Sequence, residues 1–208
     1  MSLEQLSERY AEHNRLERGA GFVFAGSKRI ELFRRYVGGP GRRVLDLGCR
    51  DGALTQAYAE GNQVVGVDAD REALAQAEKL GIETRWADLD QPLPFEAETF
   101  DVVVAGELLE HLRDPRRVVG DTLHVLRPGG TFVGSVPNAY RLKNRLRFFL
   151  GRKPEDDPTH LQMFSAADVR ALLAGFEEPQ LHFIAGRLVP LHARLFANDI
   201  VFVGRKPR

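Results

Sequence analysis

Val44-Leu45-Asp46-Leu47-Gly48-Cys49-Arg50-Asp51-Gly52 is the stretch on which the rest of the chain depends. A short, mostly apolar run enters a loop with two glycines and two acids, and a helical pattern, Ala53 to Ala59, follows. A buried strand, a tight turn and a helix start in this order form the ligand crevice of an open α/β sheet. Gly48 and Gly52 lack Cβ atoms, so the backbone there can take unusual dihedrals and come close to a ligand. Backbone N–H groups at the helix start favour a negatively charged ligand group. A dinucleotide loop calls for Gly-x-Gly-x-x-Gly and a triphosphate loop for Gly-x-x-x-x-Gly-Lys-Ser/Thr. The spacing Gly48-x-x-x-Gly52, with no Lys after it, matches neither.

Two later acids narrow the ligand. Asp68 ends the apolar run Val64-Val65-Gly66-Val67, and an acid at the tip of a second strand can accept both hydroxyls of a ribose. Asp88 ends a third run, Ile82 to Ala87. With Val44–Gly52, Asp68 and Asp88 in place, the chain resembles the class I S-adenosylmethionine (SAM)-dependent methyltransferases. Leu126-Arg127-Pro128-Gly129-Gly130, leading into a fifth strand, resembles the same family. The resemblance covers roughly residues 40 to 140 well and implies SAM as cofactor, with S-adenosylhomocysteine as product. It implies a doubly wound α/β fold, a mostly parallel seven-stranded Rossmann-like sheet with a final antiparallel strand. The cofactor-binding residues it implies are Asp46, Gly48, Cys49, Arg50 and Gly52 in the loop, Asp68 and Ala69 at the ribose, Asp88 and Leu89 at adenine, and Gly106. Arg50 departs from the family, which usually has Gly there; a crowded loop and an outward-pointing guanidinium are the two alternatives.

Bulk properties bound the rest. With 208 residues the chain suits one domain, and its 29 Lys plus Arg balance 29 Asp plus Glu. Net charge therefore gives no argument for nucleic acid or a membrane surface. The single cysteine, Cys49, excludes an internal disulfide, gives no support for a zinc cluster, and suits packing behind the loop. No run of 18 apolar residues exists, and the polar, acidic first residues are unlike a signal peptide, so a soluble cytoplasmic protein is expected.

In chain order, Leu3, Leu6, Tyr10 and Leu16 are spaced as on one helix face, and Gly19-Ala20-Gly21 breaks the pattern. A second helix is expected from Ser27 to Val37, with Ile30, Phe33, Arg34 and Val37 inward. Residues 1–40 read as a helical cap on a single domain spanning 1–208, with Tyr10 and His13 as candidates to touch cofactor or substrate. Asp70 and Ser165 read as helix N-caps, and Phe100 to Ala105 as a central parallel strand. Leu181 to Leu188 and Asn198 to Arg205 are expected as the last two strands. Residues 138–164 read as a substrate-side insertion, in which Arg141 to Lys153 carries six basic residues and no acid around Phe148-Phe149-Leu150.

The candidate chemistry follows the fourth strand, in Gly106-Glu107-Leu108-Leu109-Glu110-His111. If a helix begins there, Glu107, Glu110 and His111 share a face, and His111 can act as general base. Catalytic candidates are His111, Glu107 and His160. The Glu-x-x-Glu-His pattern resembles the metal-binding stretch of ubiquinone-pathway O-methyltransferases and of small-RNA 2′-O-methyltransferases. A metal-free site is the preferred reading; the metal alternative is Glu107, Glu110, His111 and His160. Asn138 sits on the ligand edge as a contact or a simple turn. Trp86 is a stacking candidate near adenine or a core aromatic, and His124 and His182 suit packing or surface. The function expected is SAM-dependent methyl transfer to a small-molecule or lipid- or glycan-linked acceptor. The alternatives are an RNA methyltransferase with a metal-assisted site, using the basic segment, and a non-catalytic SAM-binding subunit.

Overall fold

The computed structural model describes residues 2–19, 21, 23, 26–154, 157 and 159–208; Ala20 of the expected break lies outside them. Arg43–Leu47 (β1) lies inside the sheet, with Gln63–Asp68 (β2) and Phe100–Gly106 (β4) parallel on its two sides. Glu83–Trp86 (β3) and Leu126–Pro137 (β5) extend the parallel pairing outward. Asp199–Arg205 (β7) enters antiparallel to β5, and Glu177–Ile184 (β6) closes the edge antiparallel to β7. The order is β3-β2-β1-β4-β5-β7-β6, the doubly wound sheet with one antiparallel strand expected from the sequence.

Successive residues of the central strands serve opposite faces, as a strand's period of two requires. Leu45, Leu47, Val103 and Ala105 join one core cluster, into which Pro115–Val125 (α5) and Ala166–Leu172 (α7) send Val118, Val119 and Val169. Val44, Val102 and Val104 join the other, with Phe33 and Val37 from Gly26–Val37 (α2), Tyr58 from Gln56–Ala59 (α3) and Ala77 from Arg71–Lys79 (α4). Each fully buried Val, Leu or Phe among them contributes roughly 1.5–3 kcal/mol. Two cores on two faces hold β1 and β4 rigid where their carboxyl ends meet the ligand edge. The N-caps at Asp70 and Ser165 are present, the latter as a capping box with Asp168.

Several boundaries differ from expectation for local reasons. In α2 the buried stripe is Arg29, Phe33 and Val37, whereas Arg34 is exposed and donates from Nε to the Ala57 carbonyl at 2.6 Å. The first helix, Leu3–His13 (α1), runs into a π turn at Asn14–Arg18, whose extra residue per turn swings Leu16 out to 75% exposure. β6 ends at Ile184, ahead of Leu188, because Ala185 has a positive φ of 57° and Gly186 follows with 152°. Leu188 is exposed in the connection that follows. Among the described residues no helix is long and apolar enough to cross a membrane.

Candidate active site

The carboxyl ends of β1, β2, β4 and β5 surround a cavity of about 500 Å³, within the range of small-molecule sites. Its donor side is the β1–α3 loop. Gly48 takes φ +74°, and a Cβ there would stand 3.1 Å from Leu108 Cδ1, so the bare backbone forms the wall. Cys49 packs behind it: a Cβ on Gly66 would meet its Sγ at 2.6 Å, and burial pushes the thiol pKa well up. Asp68 lines the cavity with its carboxylate fixed from behind, Oδ2 accepting from the Arg50 N–H and Oδ1 from the Asp70 N–H, both at 2.8 Å. Burial raises its pKa to about 6. Ala69, Asp88, Leu89 and Gly106 line the same wall, Asp88 accepting from the Asp90 N–H at 2.8 Å. A glycine-walled loop, a fixed acid at the second strand tip and an acid with an apolar neighbour at the third suit the methionine, ribose and adenine parts of SAM in that order.

Of Asp46, Gly52 and Trp86, the first lines the cavity and the other two do not. Asp46 reaches the wall, but its Oδ2 accepts from Thr55 Oγ1 at 2.5 Å and Tyr58 Oη at 2.7 Å, so it braces the start of α3. Gly52 does not line the cavity; its φ of +77° serves close packing, since a Cβ would lie 2.6 Å from Ile82 Cδ1. Trp86 is also outside the lining, with Nε1 donating to the Ala69 carbonyl and Arg71 stacked 3.7 Å from its ring centre. Arg50 lines the cavity with its guanidinium turned toward the N-terminal segment. It adopts a left-handed φ of +50°, and its Nη2 donates to the Gly19 carbonyl and to Asp51 Oδ2, both at 2.9 Å. Asp51 Oδ2 in turn accepts from the Gly21 N–H at 2.7 Å. The pair forms a clasp between the loop and the N-terminal segment.

On the acceptor side the Glu-x-x-Glu-His stretch is not a helix face. Glu107 takes φ +54°, and only a 3-10 turn, Leu109–His111, follows. That kink separates the acids. Glu107 Oε1 lies 3.0 Å from Arg29 Nη2, which also reaches Asp199 Oδ2 at 3.2 Å. Burial first, and the neighbouring Glu107 charge second, raise the Asp199 pKa to about 7. Glu110 and His111 instead turn toward His160, and ligand-type atoms of these three lie within 4.8 Å of one another. Glu107 is therefore not in that group, and the four-residue metal set shrinks to three.

His111 is buried, with its ring edge-on to His160 at 4.8 Å and to Tyr10 at 6.2 Å. Its Nδ1 faces the Thr159 carbonyl at 3.3 Å and Thr159 Oγ1 at 3.1 Å. The Thr159 hydroxyl donates to Asp157 Oδ1 at 2.5 Å, so both of its groups near the imidazole act as acceptors. Nδ1 therefore carries the proton in the neutral ring, and Nε2 is the basic nitrogen. Asp157 is tied on its other side to His13 Nε2 at 3.1 Å. Tyr10 and His160 line the cavity directly, and His13 acts one partner behind them. Asn138 lines it too, with its amide donating to the Arg194 and Ala197 carbonyls at 3.0 Å. His124 is exposed on α5, and His182 on β6 packs with Tyr36, its ring nitrogen 2.6 Å from the phenol oxygen.

Arg29, Asp51, Thr159 and Asp199 are the site residues that the sequence reading missed. The i, i+4, i+8 spacing of Arg29 with Phe33 and Val37 was the available signal for the first. Asp51 and Thr159 lie in connections without periodicity, and Asp199 opens β7.

Comparison with known proteins agrees with this geometry. A family model described as "Methyltransferase domain" matches residues 13–177. A "Probable S-adenosylmethionine-dependent methyltransferase" of Mycolicibacterium smegmatis is 36% identical over 142 residues, 66% of this chain and 52% of that protein. A "Ubiquinone biosynthesis O-methyltransferase" of Hahella chejuensis is 35% identical over 117 residues, 53% of this chain and 49% of that one. The chain thus spans about half the length of these curated relatives. The crystal structure of a SAM-dependent methyltransferase from Archaeoglobus fulgidus superposes with a TM-score of 0.74 at 19% identity, covering 95% of this chain and 99% of that one, a likeness of fold. The model match over most of the chain, on a sheet of this order, shows that the chain belongs to the methyltransferase-domain family of SAM-dependent, class I proteins.

Proposed function

We propose that this chain transfers a methyl group from SAM to a nucleophilic atom of a small-molecule or lipid-linked acceptor, with His111 Nε2 taking the acceptor's proton. The observation that carries this reading is the continuity of one cavity from Gly48 and Asp68 to His111 and His160. SAM, when bound, supplies an activated methyl on a sulfonium, so the protein's task is position, proton acceptance and exclusion of water. Asp68 and Asp88 hold ribose and adenine, and the Gly48 backbone leaves room for the methionine part. Thr159 and Asp157 keep the His111 proton on Nδ1, and Arg29 holds Glu107 at the rim. On this reading residues 1–40 act as cap and 138–164 as acceptor-side insertion of one domain.

A second reading has a specific observation in its favour. The mutual approach of Glu110, His111 and His160 suits a divalent cation that would orient an acceptor oxygen. RNA as acceptor would use the same three residues. The experiment that separates these readings begins with calorimetric titration of S-adenosylhomocysteine, followed by an acceptor screen with methyl-labelled SAM. His111→Gln is expected to leave S-adenosylhomocysteine affinity unchanged and to lower turnover on the order of 10²-fold or more. Turnover abolished by EDTA and restored by a divalent ion would select the metal reading. Tight binding without turnover on any acceptor would make the chain a SAM-binding subunit.

A further inference from the structure

The carboxyl edge of the sheet carries a surface feature beside the cavity. Of the eleven large hydrophobic side chains that are exposed among the described residues, all but Leu16 and Leu80 lie in two connections at this edge. One follows β5 and contains Leu142–Phe149 (α6); the other joins β6 to β7 and contains Ala193–Phe196 (α8). The end of β5 and the start of β7 are paired, Pro137 with Asp199, so the two connections leave the sheet side by side. α6 packs against α8, and Arg141, Asn144 and Asn198 from the two connections line the cavity.

The projecting residues are large and open: Leu146 is 53% exposed, Phe149 87%, Leu150 66% and Leu191 76%. Leu146, Phe149 and Leu150 stand at i, i+3 and i+4, on one face of the helix and its end. The charge around α6 and α8 is mainly basic, while Glu155, Asp156 and Asp157 follow later in the first connection. Residues 138–154 hold six basic residues and no acid, and residues 185–198 hold Arg187 and Arg194 and no acid. Lys143, Arg145, Arg152, Lys153, Arg187 and Arg194 are all exposed. The whole chain has zero net charge, so this basic, apolar rim is local to one edge.

We infer that this rim docks on an anionic lipid surface. Leu146, Phe149, Leu150 and Leu191 enter the boundary between headgroups and acyl chains, and the lysines and arginines meet lipid phosphates. A contiguous exposed apolar patch marks an interaction surface. Aromatic and aliphatic residues projecting among Lys and Arg have the composition that binds in the interfacial plane without spanning it. Single-stranded RNA would use basic residues with aromatic faces for stacking. It would gain nothing from the four leucines at 146, 150, 188 and 191, which favours lipid. Docked this way, the cavity mouth faces the bilayer, where an amphiphilic acceptor can enter without crossing water.

The test is flotation of the full chain with vesicles of phosphatidylcholine alone and of phosphatidylcholine with phosphatidylglycerol. It needs neither SAM nor an acceptor, so its failure leaves the methyltransferase proposal standing. The wild type is expected to float with the phosphatidylglycerol vesicles and to be released by raised salt. Phe149→Ser with Leu150→Ser, and separately Arg152→Gln with Arg187→Gln, are each expected to lower the bound fraction on the order of tenfold. All four side chains are exposed, and an unchanged melting temperature and S-adenosylhomocysteine affinity would establish that the variants fold. Absence of flotation, equal binding to both vesicle types, or undiminished binding of the folded variants overturns the inference. So does a gel shift of short RNA that the arginine pair controls and the Phe149/Leu150 pair does not, in the absence of flotation.

Discussion

The Asp68 carboxylate receives two backbone N–H bonds, yet burial still lifts its pKa to about 6. Its remaining lone pairs can accept ribose hydroxyls only when it is ionised, so ligand binding and deprotonation reinforce each other. S-adenosylhomocysteine affinity should therefore be steady at neutral pH and fall as pH drops through about 6, and calorimetric titration across that range checks it. Asp68→Ala should weaken binding by about 1 kcal/mol or more and remove the acid-side fall. A variant that retains the fall would assign it to another group. Asp46 gives the opposite linkage, on stability. Its folded pKa of about 6 exceeds the ordinary carboxyl value of 3.8, chiefly through burial. The folded state therefore binds the proton more tightly than the unfolded state. Stability is greatest below the unfolded pKa and is lost as pH rises through about 6. The loss attributable to this one carboxyl is roughly 3 kcal/mol. Asp46→Asn should remove that share of the slope in denaturant melts, leaving what Asp68 and Asp199 contribute. An unchanged slope in the variant would show that Asp46 is already ionised in the fold.

Among the elements, the β1–α3 loop and the N-terminal segment are joined by the Arg50–Asp51 clasp. Arg50 holds the Gly19 carbonyl and Asp51 the Gly21 N–H. α1 and its π turn are fastened farther along by Asn14 Nδ2 to Asp70 Oδ2 at 2.8 Å and by the Arg71 N–H to Ser7 Oγ at 3.0 Å. Leu6, Tyr10 and Asn14 line the cavity from above. Arg50→Gly relieves a left-handed conformation that glycine adopts without strain, a gain on the order of 1 kcal/mol, while opening the clasp. Thermal stability should thus hold or rise slightly, while S-adenosylhomocysteine dissociation, followed by stopped-flow fluorescence, quickens several-fold. Slower or unchanged release would mean that the segment does not gate the ligand. The same elements show what the sequence made legible. Loop, strand tips and N-caps were readable because glycine spacing, terminal acids and Ser or Asp caps act within a few residues. The split of Glu107 from Glu110 was not, because it follows from a positive φ at Glu107 that no local pattern encodes. The buried place of Arg29 depends on Asp199, 170 positions later, which only the strand order brings near. The end of β6 was misplaced because Leu188 continues an apolar run that the turn at Ala185 and Gly186 interrupts.

At the level of the whole molecule, the cavity is lined by parts that have few other reasons to move together. Residues 6–14 come from α1 and its π turn, 46–69 and 88–90 from the first half of the sheet, and 106–112 from its centre. Residues 137–164 come from the end of β5 and the connection after it, Asn198 from the β6–β7 connection and Asp199 from the antiparallel strand. The Asp157 bridge, which receives His13 on one side and Thr159 on the other, ties the N-terminal helix to the connection after β5. A ligand filling that space should stabilise all of them at once. At a hundredfold excess over Kd, S-adenosylhomocysteine should add about 2.7 kcal/mol, which for a chain of this size raises Tm by roughly 5–10 °C. Hydrogen exchange should slow not only in the β1–α3 loop but also in residues 3–18 and 139–164, since opening either segment would now require releasing the ligand. Asp157→Asn should uncouple the two: the loop and β2 stay protected on binding, while the N-terminal helix exchanges at its ligand-free rate. Protection confined to residues 44–69 and 88–90 in the wild type would instead mean that the cap and insertion sit over the cofactor without being fastened by it, and the Tm gain would then be accompanied by no loss of exchange at His13.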